Sequence, residues 1–263
     1  LGSAGIREFE SMDYVDIKGD VTVFNGALQL NIKEARKADE GTYIESDYMP
    51  TSQKDIEEMY AELTSIILSM KNEYLLKLTR RFFIDDKDFA AKFKRHSAAK
   101  RVHHGFVGGL LEHTLGVTKL CVTLADNYPY LNRDLLITAA VFHDIGKVYE
   151  LSSFPENDYT DAGQLLGHIV MGCEIIGRAV SEIDGFPVVL ARELKHCVLA
   201  HHGEFEYGSP KKPALIEAVA LHYADDIDAK LETFKEALNA PGAQAGEWLG
   251  FNKMLDSNIR STI

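Results

Sequence analysis

The feature that most constrains the fold is a helical pattern that runs from residue 53 to residue 239. Within it, apolar residues recur at spacings of three and four, which places them on one face of a helix. Ser52 and Asn132 are predicted N-caps, and Pro187 and Pro213 stand where first-turn prolines are common. We therefore expect a mostly α-helical fold, with helices over residues 53–70, 72–84, 87–95, 106–127, 133–149, 164–183, 188–202 and 214–238.

The first 38 residues have a different pattern, which predicts β-strands. Two alternating runs, Val21–Phe24 and Ala27–Ile32, flank Asn25-Gly26, a dipeptide that strongly favours a hairpin turn. An isolated hairpin is unstable in water, and no further strand-rich segment follows. The chain also lacks an initiator Met. We therefore expect residues 1–38 to be the C-terminal part of a small β-domain whose beginning is missing.

The remaining boundaries follow from composition. Residues 39–52 have the composition of a linker, and residues 53–240 form the expected helical domain. The tail, residues 241–263, is rich in Gly and carries the only tryptophan, Trp248, and we expect it to be irregular.

Composition indicates a globular protein. The chain has 263 residues, of which 46% are hydrophobic, so it can bury a substantial core. It contains neither an apolar run of about 18 residues nor a basic-then-apolar leader, so we expect no membrane contact and a cytoplasmic location. Its three cysteines lack CxxC spacing, which favours reduced, buried packing residues.

The formal net charge of −12 argues against a broad basic face for duplex nucleic acid. The charge is uneven, because the segment from Lys77 to Arg101 holds nine Lys or Arg against three Asp. This segment is either a basic arm that guides a single strand or an ordinary solvated helical face.

A set of His and Asp residues lies within the apolar helical runs. A helix end with a polar cap would explain one of them, the pair His143-Asp144 in "AAVFHDIGK", and a lone histidine on an apolar face is usually a core residue. Five such sites on successive helices instead indicate inward-facing ligands of divalent ions. The members of the set are His113, His143, Asp144, His168, His201, His202 and Asp225.

The ligand types predict the chemistry of the centre. Neighbouring helical residues diverge by about 100°, so Asp144 could bridge two ions while His143 binds one. Two ions about 3.5–4 Å apart can activate water and hold phosphate oxygens. Imidazole and carboxylate ligands without a thiolate favour Mn, Fe or a similar ion over structural zinc.

This ordered set resembles that of the HD-domain metal-dependent phosphohydrolases. More narrowly, "AAKRVHHGFVGGLLEHT", "HHGEFEYGSPKKP" and "HYADDIDAK" resemble the YhaM-type 3′→5′ exoribonucleases. The resemblance covers roughly residues 15–235. It implies an OB-fold before the HD domain, so the predicted hairpin would be the late strands of an OB barrel.

The resemblance also implies roles for single residues. One ion would be held by His113, His143, Asp144 and Asp225, and a second by Asp144, His168 and His201, with His202 as a further candidate ligand. Asp225 is favoured over its neighbours Asp226 and Asp228 because "YAD" matches the family pattern. Lys147 would stabilise charge on the phosphate, unless it is simply a helix C-terminal cation. From the geometry of such a centre, and not from the resemblance, we expect the leaving 3′ oxygen to be assisted either by an ion or by a protonated imidazole such as His202.

Substrate contacts are expected on two segments. His103 and His104 precede a predicted helix and are assigned either to substrate contact or to local structure. In the loop "GEFEYGSPKKP", Phe205 and Tyr207 could stack on bases, and Lys211, with its neighbour Lys212, could contact phosphate.

The leading hypothesis is therefore a 3′→5′ exonuclease with two divalent ions that releases nucleoside 5′-monophosphates from single-stranded RNA or DNA. One alternative is an HD phosphohydrolase that acts on a small nucleotide or a cyclic dinucleotide. A second alternative, from another class, is a nucleic-acid-binding module with a decayed site. The sequence leaves open whether the chain forms a homo-oligomer.

Overall fold

The structure is a computed structural model that describes residues 9–24, 27–44, 47–100, 104–240 and 242–262. The chain divides into two compact units, residues 1–50 and residues 51–263.

The first unit contains an antiparallel pair of strands, β1 (Val15–Phe24) and β2 (Ala27–Lys37). Val15 lies opposite Lys37, and the register shifts between Lys18 and Gly19. Such a pair is consistent with the predicted remnant of a small β-domain. The Asn25-Gly26 turn that the sequence predicts lies outside the described residues.

The second unit is mainly helical, which confirms the predicted fold class. Its helices are α1 (Ile56–Leu68), α2 (Glu73–Arg80), α3 (Lys87–Arg95), α4 (Gly109–Asn127), α5 (Arg133–Phe142), α6 (Lys147–Glu150), α7 (Asp161–Ser181), α8 (Val188–Ala200) and α9 (Ile216–Leu238). A π-helical turn, Arg81–Asp85, follows α2, and a 3₁₀ turn, Phe205–Tyr207, follows α8.

The predicted caps are partly right. Asn132 caps α5, and its side-chain oxygen accepts a hydrogen bond from the backbone N–H of Leu135 at 3.2 Å. Ser52 was the wrong cap for α1, which begins after Asp55. The hydroxyl of Ser52 is committed elsewhere, because it donates to the carboxylate of Glu112 at 2.6 Å.

The predicted helix 133–149 is broken. After α5 ends at Phe142, residues 143–146 form a tight turn with i→i+3 bonds, such as the one from Ile145 N–H to Phe142 at 3.2 Å. Gly146 permits this path, since a β-carbon there would lie 2.0 Å from the carbonyl oxygen of His168. The break turns the side chains of both His143 and Asp144 toward the interior.

The tail also differs from the prediction. Instead of being irregular, it forms a hairpin of β3 (Trp248–Asn252) and β4 (Ser257–Arg260). Its turn is closed by the side chain of Asn252, which accepts hydrogen bonds from the backbone N–H groups of Met254 and Leu255. The strands are short and bulged between Trp248 and Gly250, so their alternation is hidden in the sequence.

The core lies between α4 and α5 and the helices packed around them. Its fully buried side chains include Leu110, Leu111, Leu136, Ile137 and Phe142. Cys121 and Cys197 are buried, Cys173 is half-buried and all three are free thiols, as the sequence predicts. Among the described residues, no helix is long and apolar enough to cross a lipid bilayer.

Candidate metal centre

Six of the predicted ligands converge inside the helical unit. They come from α4, the α5–α6 turn, α7, the residue after α8, and α9, and they are His113, His143, Asp144, His168, His201 and Asp225. Asp144 lies at the middle of the group, with Oδ2 at 3.3 Å from His143 Nε2 and Oδ1 at 3.4 Å from His168 Nε2. The Nε2 atom of His201 is 3.8 Å from the same Oδ1.

The first half of the centre surrounds His113. Its Nε2 atom lies 3.1 Å from His143 Nε2 and 3.1 Å from Asp225 Oδ1. Atoms of His113, His143 and Asp144 lie close enough together to hold one ion. Asp225, at 3.8 Å from His143 Nε2, can complete this set.

The second half of the centre contains His168, His201 and His202, whose ligand atoms also lie close enough to hold an ion. The kink in α7 at Gly167, where φ is +73°, precedes His168. Burial and the neighbouring His202 lower the pKa of His201 well below its ordinary value, so its imidazole is neutral and able to bind a metal ion.

Hydrogen bonds fix the rings in the form that binds metal. The Nδ1–H group of His143 donates to the carbonyl of Ala140, and that of His201 donates to the carbonyl of Val198, each at 2.7 Å. The lone pair on each Nε2 therefore points toward the centre. Carbonyl or carboxylate acceptors behind metal-binding histidines commonly have this orienting role.

Two carboxylates have this orienting role, and the sequence did not predict it for either of them. Glu150 accepts hydrogen bonds from both the backbone N–H and the Nδ1 atom of His168, at 2.9 and 3.1 Å. Asp228 accepts one from Nδ1 of His113 at 2.7 Å. The available signal was spacing, since Asp228 lies one helical turn after Asp225 on α9.

Three polar atoms of the centre have no hydrogen-bond partner although they are buried: Asp144 Oδ1, His168 Nε2 and His201 Nε2. All three are acceptors in the tautomers described above, and buried acceptors that face one another are unfavourable without a cation or donor between them. The donor set therefore fits a divalent metal ion.

Protons and one lysine balance the charges when no ion is bound. Burial lowers the pKa of His113, but hydrogen bonds to Asp225 and Asp228 outweigh it and raise the pKa to about 10. Lys147 Nζ lies 2.7 Å from Asp144 Oδ2. Burial raises the pKa of Asp144, but Lys147 and His143 hold it well below its ordinary range.

A cleft of about 290 Å³ opens onto this centre. Its polar lining includes ligands of the first half together with Lys147, and its walls include the side chain of Met254 from the turn of the C-terminal hairpin. The lining residues are Ala98, Ala99, His104, His113, Asp144, Lys147, His202, Tyr207, His222, Asp225, Asp226, Ala229 and Met254.

The predicted substrate residues fall into three groups. His104 and Tyr207 line the cleft, whereas Phe205 and Lys211 do not. Phe205 is exposed and lies under the ammonium group of Lys212, 5.5 Å from its ring centre. His103 lies outside the described residues.

The basic segment is less free than its sequence suggests. Lys94 pairs with Glu57 at 2.6 Å, and Arg81 and Lys100 also form ion pairs with acidic side chains. The ammonium group of Lys92 lies over the ring of Tyr149. These contacts favour a solvated, ion-paired surface over a basic arm dedicated to a nucleic acid strand.

Comparisons with known proteins agree with this geometry. A model of the HD domain matches residues 110–230. The chain is 39% identical over 227 residues to the 3′-5′ exoribonuclease YhaM of a Geobacillus species, covering 85% of this chain and 68% of that protein. It is 38% identical over 233 residues to the 3′-5′ exoribonuclease YhaM of Bacillus velezensis, covering 88% of this chain and 72% of that protein. No solved structure matches the chain significantly.

Proposed function

Because the chain belongs to the YhaM family of HD-domain 3′-5′ exoribonucleases, we propose that it shortens single-stranded RNA from the 3′ end and releases nucleoside 5′-monophosphates. The observation that carries the proposal is the group of three unpartnered acceptor atoms, Asp144 Oδ1, His168 Nε2 and His201 Nε2, beside a cleft of about 290 Å³. We propose that two divalent ions, Mn²⁺ or Fe²⁺ by ligand type, bind here.

The proposed ligand sets share Asp144. The first set contains His113, His143, Asp144 and Asp225, and the second contains Asp144, His168 and His201. When bound, such ions supply Lewis acidity that activates water and offsets phosphate charge. With such ions the centre would hydrolyse a phosphodiester directly with water.

The protein's own groups orient the phosphate and supply a proton. Lys147, which lines the cleft and whose ammonium group lies 2.7 Å from Asp144 Oδ2, is placed to neutralise a phosphate oxygen. The oxygen of water bonds to phosphorus and loses one proton to solvent, the bond to the 3′ oxygen of the upstream nucleotide breaks, and that oxygen takes a proton from a side chain. The released nucleotide keeps the phosphate on its 5′ oxygen.

His202 is the proposed proton donor. Its Nδ1–H group is held by the carbonyl of Tyr207 at 2.8 Å, and its ring lines the cleft, unlike His168 and His201. Burial lowers the pKa of His202 in the free protein. An anionic phosphate beside the ring favours its protonated form, so substrate binding would prepare the donor.

The depth of the ligands supports a single-stranded substrate. His143, His201 and Asp144 are almost fully buried, so a phosphate can reach them only from a strand end that enters the cleft. A duplex is too wide to enter a cleft of about 290 Å³. The proposed enzyme therefore stalls at stable duplex.

The test uses the metal-free protein loaded with Mn²⁺ and two substrates labelled at the 5′ end, a single strand and the same strand annealed to a complement. We expect a ladder of progressively shorter single strands, 5′-monophosphates as products, and a halt at the duplex. Release of 3′-monophosphates, or cleavage inside the strand, would contradict the proposal.

A second candidate function is hydrolysis of a small nucleotide. The cleft volume favours it, since about 290 Å³ is at the low end of the range for small-molecule pockets. Cyclic dinucleotides and nucleoside phosphates in the same assay decide between the two. Faster turnover of these compounds than of the oligonucleotide would favour the second candidate.

A further inference from the structure

We propose that one face of the C-terminal hairpin, the aromatic face, stacks on bases of the RNA strand that lie upstream of the nucleotide being removed. The inference rests on the proposed function and adds a second contact surface for the same substrate. The aromatic face consists of Trp248, Phe251, Asn258 and Arg260.

The register of the hairpin places these four side chains on one side. Trp248 is paired with Arg260, and Phe251 is paired with Asn258. Paired residues of antiparallel strands project to the same side, and so do residues two apart in one strand, such as Asn258 and Arg260. The bulge between Trp248 and Gly250 brings two aromatic residues that are three positions apart onto that side.

The two sides of the hairpin differ in burial. Ile259, which lies between Asn258 and Arg260 in β4, points to the other side and is 5% exposed. Trp248 and Phe251 are 70% and 60% exposed. The hairpin thus packs through one side and presents two aromatic rings to solvent on the other. Large apolar groups that are exposed together mark an interaction site.

The aromatic face continues from the cleft. Met254, in the turn between β3 and β4, lines the cleft, and its Sδ atom lies 4.0 Å from Oγ1 of Thr233 on α9. Ala229, one helical turn before Thr233, also lines the cleft. Phe251 is three residues from Met254, and Trp248 lies roughly 10 Å further along β3. A strand that leaves the cleft past Met254 therefore meets Phe251 first and Trp248 next.

The chemistry of the aromatic face fits a single strand of nucleic acid. Every base has a ring face that can stack on an aromatic side chain, so such contacts tolerate any sequence. The guanidinium group of Arg260 can pair with phosphate or lie over a base. Neither strand contains Asp or Glu, so no carboxylate of β3 or β4 repels the phosphates. An enzyme that shortens a strand step by step has to hold each new sequence, which these contacts allow.

Trp248 is the only tryptophan of the chain, so its fluorescence gives a direct test. Metal-free protein in EDTA is titrated with a ten-nucleotide uridine RNA or with uridine 5′-monophosphate at the same nucleotide concentration. We expect the RNA to quench tryptophan emission, because a base stacks on the ring, and the mononucleotide to have little effect. Anisotropy of a label on the 5′ end of the RNA reports binding in the same sample.

Variants of Trp248 test its contribution to turnover. The measured quantity is kcat/KM for the ten-nucleotide RNA divided by kcat/KM for bis(p-nitrophenyl) phosphate, which has no upstream nucleotide, both with Mn²⁺. We expect Trp248→Ala to lower this ratio about 5- to 100-fold, and Trp248→Phe to lower it about threefold or less because a phenyl ring still stacks. Tyr130→Ala is the matched control, since Tyr130 is an exposed aromatic residue outside both the cleft lining and the hairpin, and it should keep the parent ratio.

Three results would overturn the inference: RNA that binds by anisotropy without quenching Trp248, a parent ratio retained by Trp248→Ala, or equal losses in Trp248→Ala and Trp248→Phe. Emission that changes with protein concentration in the absence of RNA would also overturn it, because a second copy of the chain would then cover the rings. If RNA quenches the emission of the parent but is not shortened by it, the aromatic face is supported and the proposed function fails.

Discussion

Replacing Asp144 by asparagine removes one charge from the proposed centre and almost no volume. Asp144 is 2% exposed, and its two oxygens face His143, His168, His201 and Lys147 at distances between 2.7 and 3.8 Å. An amide cannot bridge two cations as a carboxylate does. We expect Asp144→Asn to lose at least one Mn²⁺ ion per chain and to reduce kcat/KM on an RNA oligonucleotide by about 1,000-fold or more.

The same variant should weaken the metal-free fold. In the parent protein, the carboxylate of Asp144 lies 2.7 Å from the ammonium group of Lys147. The substitution leaves this ammonium group without its carboxylate partner. Breaking a buried ion pair costs about 3–5 kcal/mol, and Asp225 and Glu150, which also raise the pKa of Lys147, keep the expected cost near the lower end. Adding Lys147→Met should restore most of the lost stability, but not the activity.

Three measurements check this reasoning: metal content after dialysis, kcat/KM, and urea denaturation of the metal-free protein. Glu217→Gln is the matched control, because Glu217 is a buried carboxylate on α9 that contacts the backbone N–H of Asn132 at 2.7 Å, outside the centre. It should change neither metal content nor kcat/KM. Turnover by Asp144→Asn within tenfold of the parent, at equal metal content, would refute the role assigned to Asp144.

Three further predictions follow from contacts around the centre. Asp228→Asn should weaken Mn²⁺ binding about 10- to 100-fold, because Nδ1 of His113 loses its carboxylate. Titration calorimetry measures this affinity, and RNA cleavage should recover at higher Mn²⁺ concentration. An unchanged affinity for Mn²⁺ would contradict the role of Asp228. Gly146→Ala should destabilise the fold by about 3 kcal/mol or more in urea denaturation, since its β-carbon would meet backbone atoms, whereas Gly177→Ala, which meets only the end of a lysine side chain, should cost much less. Tyr207→Ala should raise KM for an oligonucleotide about 5- to 100-fold with little effect on bis(p-nitrophenyl) phosphate, while Phe205→Ala, outside the cleft lining, should change KM little; equal effects of the two substitutions would argue against stacking on Tyr207.

Periodicity was sufficient to predict the helices, because burial of an apolar face determines where they lie. It failed at residues 143–146, where the chain leaves the helix although its apolar pattern continues. The reason is a tertiary contact, the approach of Gly146 to the backbone of α7, and no local pattern encodes it. The hairpin of the tail was not predicted either, because its strands are short and a bulge interrupts their alternation of side chains.

In the candidate metal centre, too, the sequence predicted the local features but not those that depend on tertiary contacts. Histidines within apolar helices are conspicuous in a sequence, so they could be proposed as ligands before any geometry was known. Glu150 and Asp228 are not conspicuous, because acidic residues on helices usually face water. Their contacts with His168 and His113 depend on which helices pack against each other. Likewise, Met254 lines the cleft only because the tail folds as a hairpin, which the sequence did not predict.

The order of the proposed ligands along the chain has a consequence for biosynthesis. They begin at His113 and end at Asp225, and Asp228, which orients His113, comes later still. A growing chain on the ribosome has no complete centre until α9 has been made and has packed against α4. The proposed ions would thus bind as a complete set only after α9 has packed against α4, so the nascent chain would be inactive up to that point.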